Sequence, residues 1–381
     1  MPAKRSPLLL VLASLTALAV AMGVGRFAFT PMLPLMQADS GLSLPGASAL
    51  AFANYLGYLL GALYAARTST PAGRLLHGGL ILVVLTTGLM GASTRFGVWL
   101  ALRLVAGIAS AWVLVATSSL SMARLSELGR ATLSGLPFAG VGAGITGASL
   151  LCAVVAGSGV SSYLGWYGLA GAALLGSIFV WCGLRPALQS TPSAGPVPAA
   201  PAGHGVLVAC YGLAGFGYSL PATFLPAQAR ALLASPALFG WVWPVFGLAA
   251  LASTLICCLL GNGLPRRRLW AGAQAVMAVG VLLPQWGGGL GIMLVAAVCV
   301  GGTFMVITML GMQEARAVAG GASHTLMAHM TAAFALGQLL GPLLVGATAA
   351  NGMSSAAVVW LAGGGLIASS LVLGRQPRAA A

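Results

Sequence analysis

The chain has 381 residues, of which 59% are apolar and 5% charged, with a net charge of +14 and a mean hydropathy of +1.00. Roughly 25% charged residues is usual for a soluble domain, and three acidic side chains, Asp39, Glu127 and Glu314, cannot help cover a soluble surface. The apolar content excludes disorder, and arginines scattered singly between apolar runs give no basic stripe for a nucleic acid, which leaves an all-α polytopic membrane protein.

Twelve apolar stretches are predicted in chain order: 8–36, 46–66, 75–92, 98–122, 133–156, 165–184, 206–229, 237–260, 269–284, 290–312, 325–350 and 355–373. Most approach the ~20 residues that cross a bilayer core. The first imitates a secretory signal, with Lys4, Arg5 and a small-residue site at Ala19-Val20-Ala21. Its apolar run continues to Met36, so cleavage is not expected.

Basic residues set the orientation. With the N-terminus in the cytoplasm, thirteen fall on that side, including Lys4, Arg5, Arg67, Arg74, Arg124, Arg130, Arg266, Arg267 and Arg268. Only Arg95 and Arg230 fall opposite, and Arg26 and Arg103 lie within helices. This asymmetry predicts both termini inside.

The longest polar gap, residues 185–205, is rich in Pro, Ala and Gly and reads as a cytoplasmic linker. It separates an N-terminal six-helix bundle, 1–184, from a C-terminal one, 206–381. The halves repeat. GVGRFAFTPMLP at 23–34 aligns with GFGYSLPATFLP at 215–226, matching Gly23, Gly25, Leu33 and Pro34 to Gly215, Gly217, Leu225 and Pro226 at an offset of 192. Gly57 and Gly247, and Glu127 and Glu314, stand at nearly corresponding places. Parallel repeats of this kind are related by an axis along the membrane normal.

The fourth stretch carries RLVAGIASA at 103–111, and the fifth carries PFAGVGAGITG at 137–147. The first resembles the R-x3-G-x3-A motif of the major facilitator superfamily. The second resembles the Gly-rich helix of its antiporters, without their Gly-Pro pair. AARTSTPAGR at 65–74 keeps only Gly73-Arg74 of the superfamily's basic loop, and GNGLPRRR at 261–268 is a similarly eroded copy. GVGRFAFTPMLPLMQ and YGLAGFGYSLPATFLPAQAR resemble the bacterial YbfB/YjiJ-type branch. The resemblance implies twelve membrane helices in two pseudo-symmetric bundles, a bacterial inner-membrane secondary transporter, a monomer, and a cavity lined by helices 1, 4, 7 and 10.

Arg26 is the sharpest candidate. A charge near the bilayer centre costs about 2.5–3.5 kcal/mol, so it should face a cavity or a partner; alternatively it bonds carbonyls of its own Gly-rich helix. Arg103 is a second binding or gating candidate, or an arginine snorkelling to the interface. Substrate-binding candidates also include Tyr218, which occupies the repeat position of Arg26, with Asn54, Tyr55, Thr303 and Gln338. Gly25, Pro34, Gly217 and Pro226 are candidate hinges, with the prolines expected to bend their helices. His329 and Asp39 are candidates for proton coupling. Six cysteines inside apolar runs, none with CxxC spacing, read as buried apolar side chains.

No nucleotide loop, catalytic triad or metal motif is present, so neither enzyme activity, cofactor nor metal is expected. A cavity with arginines and no membrane carboxylate favours a small organic anion over a cation. The expected function is secondary transport of such an anion by alternating access, as export or exchange. The alternatives are efflux of neutral amphipathic compounds and a membrane sensor or assembly partner that transports nothing.

Overall fold

The computed structural model describes residues 7–189, 204–232, 236–260, 264–287, 289–350, 354 and 356–375. The side chains of 44, 185–189, 223–232, 236–241, 260 and 349–350 are not among those described. All regular structure among the described residues is helical.

The helices are α1 (Pro7–Ser40), α2 (Leu44–Arg67), α3 (Ala72–Ala92), α4 (Phe96–Glu127), α5 (Ala131–Gly157) and α6 (Ser162–Gln189), then α7 (Gly205–Leu232), α8 (Pro236–Leu260), α9 (Arg266–Leu282), α10 (Leu290–Ala319), α11 (Ser323–Ala350) and α12 (Ala356–Arg375). Ten stretches among the described residues are long and apolar enough to cross a membrane. One of them, Leu290–Thr348, runs through both α10 and α11 over 59 residues. α9, with 17 residues, falls short of the ~20 that cross a core unaided. α6 runs on to Gln189, past the boundary placed at 184, and residues 190–203 of the expected linker lie outside the described residues.

Turn chemistry ends these helices. Gly41 after α1 and Gly129 after α4 have φ of 62° and 67°, a conformation that only glycine adopts cheaply. Ser43 caps α2 by accepting the Gly46 N–H at 3.2 Å. Large apolar side chains such as Leu85, Leu175, Leu259 and Leu371 point outward, as in a lipid-facing belt.

Helices meet through glycines, which let backbones approach closely where apolar area supplies no driving force. α1 and α5 run parallel: a Cβ at Gly140 would lie 2.0 Å from the Leu15 carbonyl oxygen, and one at Gly144 would lie 2.4 Å from that of Ala19. The same arrangement recurs between α7 and α11, where a Cβ at Gly215 would meet the Phe334 oxygen at 2.2 Å and one at Gly337 the Gly212 oxygen at 2.3 Å. Gly107 of α4 admits the Asn54 backbone of α2, and Gly301 of α10 admits that of Phe246 in α8. Two matched pairs sit on corresponding helices, α2 with α8 and α4 with α10, but meet different partners. Gly57 packs on Leu104 of α4, whereas Gly247 packs on Thr146 of α5. Glu127 pairs locally with Arg124 at 2.7 Å, whereas Glu314 reaches Arg267 at 2.6 Å and Arg266 at 3.6 Å across α9 and α10.

The first six helices pack mainly among themselves, as do the last six, and α2 with α11 and α5 with α8 form the broad contacts across. At the end carrying Arg124, Arg130, Arg266 and Arg267 the two sets are sealed. Gln313 Nε2 donates to Ser134 Oγ at 3.1 Å, and a Cβ on Gly135 would lie 2.5 Å from Cys258 Sγ. None of the six cysteines is in a disulfide; Cys152 and Cys210 are buried as expected, whereas Cys182 is exposed on the outward face of α6.

Replacing Gly107 by Val drives a side chain into the α2 backbone, where a Cβ would already lie 2.1 Å from the Asn54 oxygen. It should destabilise by about 3 kcal/mol or prevent folding. Gly147→Val faces open space. It should leave the elution profile and thermal midpoint of the detergent-solubilised protein near wild type.

Candidate functional site

α1 is not a continuous α-helix. Ala19–Phe27 forms a π-helix between α-helical segments Pro7–Leu18 and Phe29–Ser40. Its wider turn shifts the backbone bonds from i+4 to i+5 spacing, a geometry frequent at functional sites. Side chains of α4 meet its carbonyls. Arg103 donates from Nη1 to the Gly25 oxygen at 3.2 Å and from Nη2 to the Arg26 oxygen at 3.1 Å. Ser110, two turns on, donates to the Ala21 oxygen at 2.7 Å. Gly25 makes this approach possible, with Ser110 Oγ only 3.1 Å from where a Cβ would stand.

Carbonyl bonding, one of the readings open for Arg26, is thus what Arg103 does. Arg26 is turned inward and is only 3% exposed. Its Nη2 donates to Gln338 Oε1 on α11. Its guanidinium lies 3.8 Å from the ring centroid of Tyr58, 5.3 Å from that of Tyr55 and 5.6 Å from that of Phe27. These are cation–π distances. Nε and Nη1 of Arg26, Nε2 of Gln338 and the Tyr218 hydroxyl are buried without a hydrogen-bond partner.

Arg26, Tyr58, Tyr211, Tyr218, Thr308 and Gln338 line one enclosed cavity of about 10 Å³. That holds about one water molecule. Arg26 and Tyr218, related by the repeat, therefore face the same small space. The remaining wall is aromatic: Tyr218 stacks on Phe304 at 5.0 Å, and Phe304 meets Phe27 edge-on at 6.0 Å.

All three acidic side chains are engaged elsewhere. Glu127 and Glu314 pair with arginines at the sealed end. Asp39, exposed, accepts the Ser162 N–H at the start of α6. Carboxylates at helix N-termini are favourably placed. Arg26 and Arg103 are thus two buried cations with no counter-ion among the described residues.

The other candidates are dispersed. Asn54 donates from Nδ2 to the Arg103 carbonyl at 3.0 Å. Thr303 turns its hydroxyl back to the Cys299 oxygen at 2.6 Å and is not in the cavity wall. Tyr55 is half-buried at the edge of the Arg26 site. His329 bonds the Thr325 carbonyl through Nδ1 at 2.9 Å. The irregularity of α1 precedes Pro34, which sits inside the following α-helical segment. Gly217 packs against Leu366 of α12. The side chain of Pro226 lies outside the described residues. Sequence reasoning missed Phe27, Phe304 and Phe334 in the wall. The available signal was spacing: each is a neighbour or one helical turn from a polar residue of the wall (Arg26, Thr308 or Gln338).

Arg103→Ala removes two charge-assisted bonds and strands the π-helix carbonyls, which should lower stability by about 3 kcal/mol. Arg26→Met loses one bond and the ring contacts but relieves an uncompensated charge that costs about 2.5–3.5 kcal/mol. Its thermal midpoint in detergent should stay within a few degrees of wild type. Equal losses from both would contradict this division of roles.

The family described as uncharacterised MFS-type transporter YbfB matches residues 18–374. No curated protein matches the chain. The match covers almost all of the multi-pass helical architecture, including the π-helical segment that presents Arg26. The chain belongs to the YbfB branch of the MFS-type transporters.

Proposed function

We propose that this transporter carries a small organic anion, with a carboxylate bound at Arg26. The observation behind this is a guanidinium that is buried, uncompensated and left with Nε and Nη1 free. A guanidinium grips a carboxylate two-pronged. Nη2, the nitrogen shared by both edges of its fork, is held by Gln338. Nη2 carries two N–H groups, so a two-pronged carboxylate can take the edge that Gln338 leaves open. The unpartnered Gln338 Nε2 and the Tyr218 hydroxyl lie in the same wall as further donors. Asn54, Tyr55 and Thr303 support the site from its margins, and Arg103 sets the π-helix that presents Arg26.

The cavity is too small for an organic anion, so binding requires separation of the two helix sets. The Arg26–Gln338 bond joins α1 to α11 across them. Opening breaks that bond, and a bound carboxylate gives Arg26 a replacement acceptor, the differential contact that alternating access needs. We place twelve crossings in two six-helix bundles, residues 1–184 and 206–381 joined by a linker, with both termini cytoplasmic in the bacterial inner membrane and a monomer as the working unit. The repeat-matched glycine contacts and the arginine-rich end support this arrangement. An inside-negative potential drives an anion outward by about 2.3 kcal/mol per charge per 100 mV, about fiftyfold in concentration. Export or exchange follows, with Asp39 and His329 secondary candidates for any proton coupling.

The aromatic wall favours a second reading, efflux of neutral amphipathic compounds. The two separate cleanly. In proteoliposomes a carboxylate carrier should lose at least tenfold in flux on Arg26→Met, and saturating carboxylate should stabilise only the wild type, by about 2.7 kcal/mol at one hundred times Kd. Flux of neutral amphipaths unchanged by Arg26→Met, with no response to carboxylates, would replace the first reading by the second.

A further inference from the structure

Beside the closed cavity lies an open groove of about 550 Å³ between α2, α4 and α11. Its volume is in the range of small-molecule sites. Its wall is apolar, built from side chains such as Phe52, Leu56, Leu104 and Pro342, with Ser48 the one polar side chain in it. Phe52 and Leu343, 37% and 50% exposed, mark its mouth on the outward flank of the helices.

Two helix faces connect groove and cavity. On α2, Phe52, Tyr55 and Tyr58 follow at three-residue spacing, so the row winds about 120° around the helix from the groove to the cavity. Phe52 lines the groove, Tyr55 approaches the Arg26 guanidinium to 5.3 Å, and Tyr58 lines the cavity. On α11, Gln338 lines the cavity and Pro342, one turn later, lines the groove. Tyr55, half-buried, stands between them.

We propose that the substrate is an amphipathic carboxylate, an unbranched alkyl chain of medium length with one anionic head, and that its tail lies in this groove while its head reaches Arg26. This rests on the anion reading above and names the substrate class. The groove has almost nothing to hold a polar head, and the cavity has no room for a tail, so one molecule satisfies both. A bilayer lipid tail gains little by entering, because the surrounding lipid is equally apolar. What selects the occupant is the charge at the inner end. Tyr55 is the wall that swings aside, opening a lateral path from the flank of α2 and α11 to the centre.

Binding of hexanoate, octanoate and decanoate to the full chain in nanodiscs tests this, read by calorimetry against free aqueous ligand. Each buried methylene contributes about 0.8 kcal/mol, about fourfold. Hexanoate to decanoate should therefore gain at least tenfold, and about two-hundredfold if every added carbon is buried. Filling the groove with Ala101→Trp should flatten this dependence, lowering decanoate affinity at least tenfold and hexanoate affinity less. Leu343→Trp, from the opposite wall, should do the same if the first variant fails to fold. Arg26→Met should abolish binding of all three. Equal affinities that still require Arg26 would overturn the groove and leave the anion site standing. A chain-length dependence untouched by both tryptophans would also overturn the groove. Binding that ignores Arg26→Met, or no binding at all, would overturn the anion reading and this inference together.

Discussion

A guanidinium buried at the heart of a helical membrane protein must have its charge met, and this chain has no carboxylate to spare. Its three acidic side chains hold a helix start or surface arginines. Arg26 is met instead by one amide oxygen and the faces of aromatic rings. Such contacts lower the penalty of burial without cancelling the charge. The site therefore holds an uncompensated positive charge with donors left unpartnered.

The rest of the fold serves to present that side chain. A π-helix carries Arg26, and its carbonyls lie in an apolar interior where polar groups need partners. Arg103 and Ser110 satisfy them from α4. α4 is in turn held against α2 through Gly107, and α1 against α5 through Gly140 and Gly144. Each step depends on a backbone approach that a single methyl group would block. One arginine thus braces the scaffold, while the other keeps Nε and Nη1 without a partner.

Much of this was legible in the sequence. Composition alone required membrane helices, and the offset of 192 residues exposed a repeat whose glycines recur as matched contacts in α1–α5 and α7–α11. Arg26 and its repeat partner Tyr218 were both recognisable, and they line one cavity. What could not be read was local. No spacing rule distinguishes a π-turn from an α-turn, so the carbonyls that engage Arg103 were invisible. Gln338 stood among several neutral candidates, and only the crossing of α1 and α11 selects it. The aromatic wall looked like ordinary core because its neighbours come from helices distant in sequence. Register also could not name the partners of matched positions: Gly57 and Gly247 pack on different helices in the two halves.

The most direct measurement is an experimental structure of the protein with a bromine-labelled carboxylate, located by the halogen's anomalous signal. Carboxylate oxygens are expected within hydrogen-bond distance of Nε or Nη1 of Arg26, with Arg103 still on the carbonyls of Gly25 and Arg26. A halogen bound elsewhere, with Nε and Nη1 of Arg26 still unpartnered at saturating ligand, would contradict the anion site.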